Sequence, residues 1–181
     1  PSIGSTTKIR AFIKRKPELT ICAAVVEAGA PVAAAIYNPL TEEMFAAALG
    51  AGATLNGVAI RVADRTQLEG CRMLVAQDVI KHPAWPRPWP AMDIGKRASI
   101  AYRMALVANG TYDAMMALSS KHEWDSAAGT LIVQEAGGKA TLHTGGALTY
   151  NQPMPTHRSL ICAGPALHAA ILERTASIRL P

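Results

Sequence analysis

The residues of this chain that could do chemistry gather in one string, Glu123-Trp124-Asp125-Ser126-Ala127-Ala128-Gly129, which runs through Thr130-Leu131-Ile132-Val133-Gln134-Glu135 to Ala136-Gly137-Gly138. An apolar, small-residue helix that opens on carboxylates and closes on a double glycine puts Asp125 at a helix N-terminus. Unpaired backbone N–H groups and the positive end of the helix dipole favour negative charge there. Asp is also a preferred N-cap, so spacing alone leaves capping as the plain account of Asp125. A second group is basic: Lys8, Arg10, Lys14, Arg15 and Lys16 cluster near the start of a chain of formal net charge +5. Such a cluster attracts phosphorylated ligands or nucleic acid. Aromatics are only 5% and no nucleic-acid-binding motif is present, so phosphate steering or solubility is the better account. Gly50-x-Gly52 invites a phosphate-loop reading, but no Gly-Lys-Ser/Thr ending and no helix pattern follow it, which leaves turn chemistry.

These residues need elements to hold them. The 181 residues suffice for one domain with a substantial core, here taken as 1–181, and half of them are hydrophobic. No apolar run reaches the ~18 residues of a membrane span, and no charged-then-apolar leader opens the chain, so a cytoplasmic protein without a membrane role is expected. Cys22, Cys71 and Cys162 are odd in number and lie in apolar runs, which predicts buried free thiols. Residues 19–37 read as a hairpin about Glu27-Ala28-Gly29-Ala30, and Asn38-Pro39 ends its second strand. Met44 to Leu49 and Ala53-Thr54-Leu55 are two further strands, and Asn56-Gly57 is a tight turn. A strand about Met73–Ala76 leads into His82–Pro90, whose four prolines dictate an irregular loop carrying Trp85 and Trp89. The spacing of Ile100, Met104, Val107 and Ala108 predicts a helix over 98–109, stopped by Asn109-Gly110. Strands follow at 111–118, 139–143 and 159–163, and Pro165 starts a last helix to about Arg174. An antiparallel meander joined to alternating strands and helices is a layered α/β (α+β) architecture.

Trp124-Asp125-x-Ala127-Ala128-Gly129 with Glu135-Ala136-Gly137-Gly138 closely resembles the C-terminal signature of the inositol monophosphatase superfamily. Further strings resemble the same family: Arg10-Ala11-Phe12-Ile13-Lys14, Pro17-Glu18-Leu19-Thr20, the run from Val25 to Ala33, Tyr37-Asn38-Pro39, Gly52-Ala53-x-Leu55-Asn56-Gly57, Ser99 to Arg103, Leu106-Val107-Ala108-x-Gly110, and Tyr150-Asn151-Gln152-Pro153. They cover about residues 10–175 and leave 1–9 unmatched. The wording is nearest to the bacterial inositol-1-monophosphatase and 3′(2′),5′-bisphosphate nucleotidase branch. The resemblance implies the sandwich of helices and sheets shared with fructose-1,6-bisphosphatase, of which this chain would be the C-terminal two-thirds. It also implies Mg²⁺-dependent hydrolysis of a small sugar, inositol or nucleotide phosphate by a metal-activated water. Carried over by motif, Asp125 is a Mg²⁺ ligand. Ser99 and Arg103 fall where the family contacts the leaving group or a second phosphate, and Glu123 is placed to meet a substrate hydroxyl. For the same residues, a helix cap (Ser99), a solvated helix face (Arg103) and a surface charge (Glu123) stay open. Arg103 with Lys121 would suit a second phosphate, which favours a bisphosphorylated nucleotide.

One departure bears on all of this. The family's Asp-Pro-Ile/Leu-Asp-Gly-Thr metal loop belongs immediately before Arg10-Ala11-Phe12, and here the chain reads Pro1-Ser2-Ile3-Gly4-Ser5-Thr6-Thr7-Lys8-Ile9, with no acidic residue before Glu18. A hard divalent cation needs several oxygen ligands, so Asp125 alone makes an incomplete Mg²⁺ site and an impaired enzyme. The missing N-terminal third would expose sheet edges and favour a homodimer. The alternative is a non-catalytic relative that binds phosphorylated ligands or a partner chain. A serine or cysteine hydrolase is disfavoured: no Gly-x-Ser-x-Gly occurs, and no motif links a Cys to His122, His143 or His157.

Overall fold

Ala28 and Gly29 adopt positive φ values of 49° and 80°, the turn whose twist suits two antiparallel strands. It folds Ile21–Glu27 (β1) onto Ala30–Asn38 (β2). In this computed structural model, which describes residues 19–83 and 85–180, the meander continues through Glu43–Ala48 (β3), Gly52–Leu55 (β4) and Val58–Ala59 (β5). The five strands form one antiparallel sheet in the order β1-β2-β3-β4-β5. Asn56 and Gly57, at φ 50° and 80°, make its second tight turn. The basic cluster of residues 8–16 and the unmatched stretch 1–9 lie outside the described residues.

The second sheet is mixed. Arg72–Leu74 (β6) runs parallel to both Asp93–Gly95 (β7) and Ala114–Ala117 (β8), while Leu160–Ala163 (β12) is antiparallel to β8 and to Lys139–Thr141 (β10). The order is β10-β12-β8-β6-β7. All four residues of β8 and of β12 are buried, as expected of strands covered on both faces. Lys121–His122 (β9) and Thr156–His157 (β11) pair as a short separate ladder.

Four helices lie among the described residues: Gln77–Ile80 (α1), Ile100–Ala108 (α2), Glu123–Glu135 (α3) and Pro165–Thr175 (α4). Side-chain alternation in β8 shows how they layer. Met115 and Ala117 join Met104, Val107, Leu131 and Ile132 of α2 and α3, and beyond them Ile36 and Phe45 of the first sheet. Ala114 and Met116 face the other way, onto Leu167 and Ile171 of α4 and onto Trp89. The order is therefore sheet, helix pair, sheet, helix, the layered sandwich expected. Trp89 belongs to the prolyl loop and is buried, with Trp85 edge-on at 5.0 Å.

Gly129 sets the spacing of the helix pair. A Cβ built there would stand 2.6 Å from Met104 Sδ, so only a glycine lets α3 lie this close to α2. Ser99 caps α2, its Oγ accepting from Tyr102 N at 3.2 Å.

The structure corrects several expectations. Elements α1, β5, β7, β9 and β11 are too short to show a period in sequence. Helix α3 begins at Glu123 with His122 as N-cap, so Asp125 is its third residue and not its cap. Cys71 and Cys162 are buried, but Cys22 is only half-buried. No helix among the described residues is long and apolar enough to cross a membrane.

Candidate functional site

The β9–β11 ladder delivers the chain to the first turn of α3, with Glu123 N donating to Pro155 O at 2.9 Å. Glu123 is buried at 7% exposure, and its carboxylate accepts two backbone amides, Asn151 N at 2.7 Å and Gln152 N at 3.2 Å. Asn151 has φ 61°, and this clamp helps hold that turn. The surface-charge reading of Glu123 fails, because both oxygens are bound to the loop that follows Tyr150. Tyr150 in turn reaches back to α3, its hydroxyl 2.6 Å from Thr130 Oγ1 and 3.4 Å from Ser126 Oγ.

Asp125 is half-exposed in the same turn, and the N-cap makes no side-chain hydrogen bond. The Lys121 ammonium lies in the field of both Arg103 and Asp125: burial first, then Arg103, pull its pKa below the ordinary lysine value, and Asp125 pushes it back. Lys121 Nζ donates to Ser119 O at 3.0 Å, Ser119 Oγ at 2.6 Å and Ser120 O at 3.1 Å. Arg103 stands one turn into α2, its Nε donating to Arg97 O at 2.6 Å. Ser99 begins that turn, accepts from Arg103 N through its carbonyl at 3.0 Å, and shares a hydrogen bond with Thr20 Oγ1 at 2.9 Å.

Ser99 thus stands one helical turn before Arg103, and Lys121 feels the charges of both Arg103 and Asp125. The fold turns Glu123 toward the 151–152 amides, as a positioning residue for the start of α3. The oxygen cage around Lys121 left no mark in sequence beyond two serines before it.

Among the described residues no group of three or more His, Cys, Asp or Glu side chains converges as a metal site would require. Mg²⁺ demands near-octahedral oxygen coordination. Among the described residues Asp125 by itself does not make such a site. The Gly50-x-Gly52 amides are not an anion site, because they already bind the Glu135 carboxylate.

A groove of about 590 Å³ opens between α3 and β1, lined by Cys22, Val26, Glu123, Trp124, Ala128 and Tyr150 among others. Among the described residues strand β1 is the edge of its sheet, with Ile21 and Val25 each 60% exposed.

A model of the inositol monophosphatase family matches residues 10–180. The chain is 37% identical over 146 residues to Nus factor SuhB of Xylella fastidiosa, covering 76% of this chain and 51% of that protein. With Nus factor SuhB of Escherichia coli K12 it shares 33% over 144 residues, or 75% of this chain and 53% of that one. It therefore spans about half the length of the curated relatives it matches. The solved extragenic suppressor protein suhB of Bartonella henselae superposes with a TM-score of 0.79 at 27% identity, over 96% of this chain and 70% of that one. Inositol monophosphatase-II of Staphylococcus aureus has a TM-score of 0.81 at 19% identity, over 97% and 66%, and shares the fold.

Proposed function

Because this chain belongs to the inositol monophosphatase family, we propose that it carries the substrate-side half of a phosphomonoesterase acting on a small sugar, inositol or nucleotide phosphate. The observation that supports this most is the Trp124–Gly129 motif, which sets Asp125 in the first turn of α3, within a family match over residues 10–180. Lys121 and Arg103 supply positive charge to a phosphate dianion. Ser99 orients the start of α2, and Glu123 fixes the 151–152 turn beside α3. Mg²⁺ is the cofactor that this chemistry implies, and the described residues offer it Asp125 alone. The test is release of inorganic phosphate from inositol-1-phosphate and from 3′-phosphoadenosine 5′-phosphate in Mg²⁺, with Li⁺ as a probe. Turnover that needs Mg²⁺ and is abolished by Asp125→Asn supports the reading.

A second reading is favoured by the groove and the apolar β1 edge: a non-catalytic relative that holds a phosphorylated ligand or a partner chain. Edge strands with unpaired backbone groups readily take another strand. Absence of turnover in well-folded protein, together with self-association lost in Val25→Lys, would favour it over the first.

A further inference from the structure

The first sheet turns one face to the core. Ile36, Phe45, Ala47 and Ala53 point inward, so the positions between them point the other way. The strand register sets those outward positions in rows. Ala23, Ala35, Ala46, Thr54 and Ala59 form the middle row. Ile21, Tyr37 and Met44 form the row on one side of it, and Val25, Ala33 and Ala48 the row on the other. Every one of these residues is exposed or half-buried, with Ile21 and Val25 at 60% and Met44 at 40%, and none is charged. Two copies of a chain of net charge +5 meet at least cost where neither buries a charge.

The rows also differ in size. A two-fold axis laid along the middle row turns the Ile21–Met44 row of one copy onto the Val25–Ala48 row of the other, and the reverse, as a self-complementary contact requires. Tyr37 then stands over the partner's Ala33, and Met44 over the partner's Ala48. Large residues over small ones are how packed layers interdigitate. The face measures ~24 Å across its five strands and ~17 Å along them, about 400 Å² of flat area on each copy. The pleat and the protruding Ile21, Tyr37 and Met44 raise this toward the ~500 Å² per partner that a specific interface needs.

We propose that this face docks a second copy of the chain, the two first sheets stacking face to face about a two-fold axis along the Ala35–Ala46 row. The proposal rests on the partner chain of the second reading above, and it moves the contact from the β1 edge to the open face of the sheet.

Sedimentation equilibrium of the 181-residue chain tests it. Dimers should form at about 100 μM. Met44→Ala and Ala48→Met should each raise the dimer dissociation constant by about tenfold, one by opening a gap and the other by opposing two large side chains. The double variant exchanges large and small across the interface and should return to within about threefold of wild type. Ala46→Asp should raise the constant by about a hundredfold or more, because the axis sets two carboxylates against each other. Met44 and Ala48 are exposed in the single chain, so the exchange decides the matter even if Ala46→Asp fails to fold. Monomers at every concentration would mean that the face is covered within one chain and would overturn the proposal, leaving the phosphatase and ligand readings standing. Losses in the two single variants that simply add in the double would also overturn it. Dimers lost in Val25→Lys yet indifferent to Ala46→Asp and to the exchange would place the contact at the β1 edge, overturning this proposal and keeping the second reading.

Discussion

The Glu135 carboxylate grips the turn at Gly52: Oε2 accepts Gly52 N at 2.8 Å, and Oε1 accepts Gly50 N at 2.9 Å. Gly50 and Gly52 have φ values of 74° and 81°, a conformation that L side chains rarely adopt, and it aims both amides at one anion. The anion is the protein's own. A carboxylate in the last turn of a helix is disfavoured by the dipole, and two charge-assisted hydrogen bonds offset that cost.

Removing this grip should loosen the first sheet from α3. Glu135→Ala is expected to destabilise by about 1–3 kcal/mol, since it strands two amides and a tertiary tie. Urea unfolding measures it, and a loss below about 0.5 kcal/mol would show that the grip is incidental. Glu135→Gln, which keeps one good acceptor, should fall between.

Gly129→Ala should be costly although alanine is the better helix former. The new methyl would meet Met104 Sδ and Cβ at 2.6 and 2.7 Å, and α2 would have to move. Overpacking of this kind costs about 1–3 kcal/mol. Pairing it with Met104→Ala should recover part of the loss in a double-mutant cycle; strict additivity would refute the contact as the cause.

Asp113 joins β8 to β6. Burial raises its pKa, but the hydrogen bonds from the Arg72 side chain and backbone outweigh burial and hold it below the usual carboxylate value. Asp113 Oδ1 accepts from Arg72 Nη2 at 2.7 Å and Oδ2 from Arg72 N at 2.8 Å. A depressed carboxylate contributes stability that is present above its unfolded pKa and lost as pH falls through the folded one. Asp113→Ala should therefore destabilise at neutral pH by about 2–3 kcal/mol, with the difference from wild type shrinking below about pH 4. Thermal melts at pH 7 and pH 3 check both halves.

His168 gives a dependence of the same sign at milder acid. Burial, then the Lys139 ammonium, push its pKa down to about 4, and the ring nitrogen Nε2 lies 2.9 Å from Thr141 Oγ1. The unfolded chain takes up this proton near pH 6.5, the ordinary value, and the folded chain only near 4. Stability is then flat above pH 6.5 and falls between 6.5 and 4, by on the order of 1–2 kcal/mol after allowance for screening. His168→Gln, which cannot be protonated, should flatten denaturation midpoints across that interval. An unchanged slope would place the titration elsewhere.

What the sequence by itself determined was local. Ala28-Gly29 and Asn56-Gly57 marked their turns because positive φ needs such residues. Ser99 and Asn109-Gly110 bounded α2, and Pro165 started α4, because caps and prolines act within one turn of chain. In the string from Trp124 to Gly129, which resembles the family's signature, the close approach of Gly129 to Met104 is visible only in three dimensions. Tertiary structure decided the partners. It started α3 at Glu123 and so moved Asp125 from cap to third residue, and it bound Glu123 to amides 28 and 29 residues away. It filled the Gly50-x-Gly52 turn with Glu135, and placed β7 parallel beside β6 across the prolyl loop. Turn and helix signals lie in neighbouring residues, whereas a carboxylate can serve a metal, a ligand or a backbone amide. Which it serves depends on the groups that the fold brings beside it.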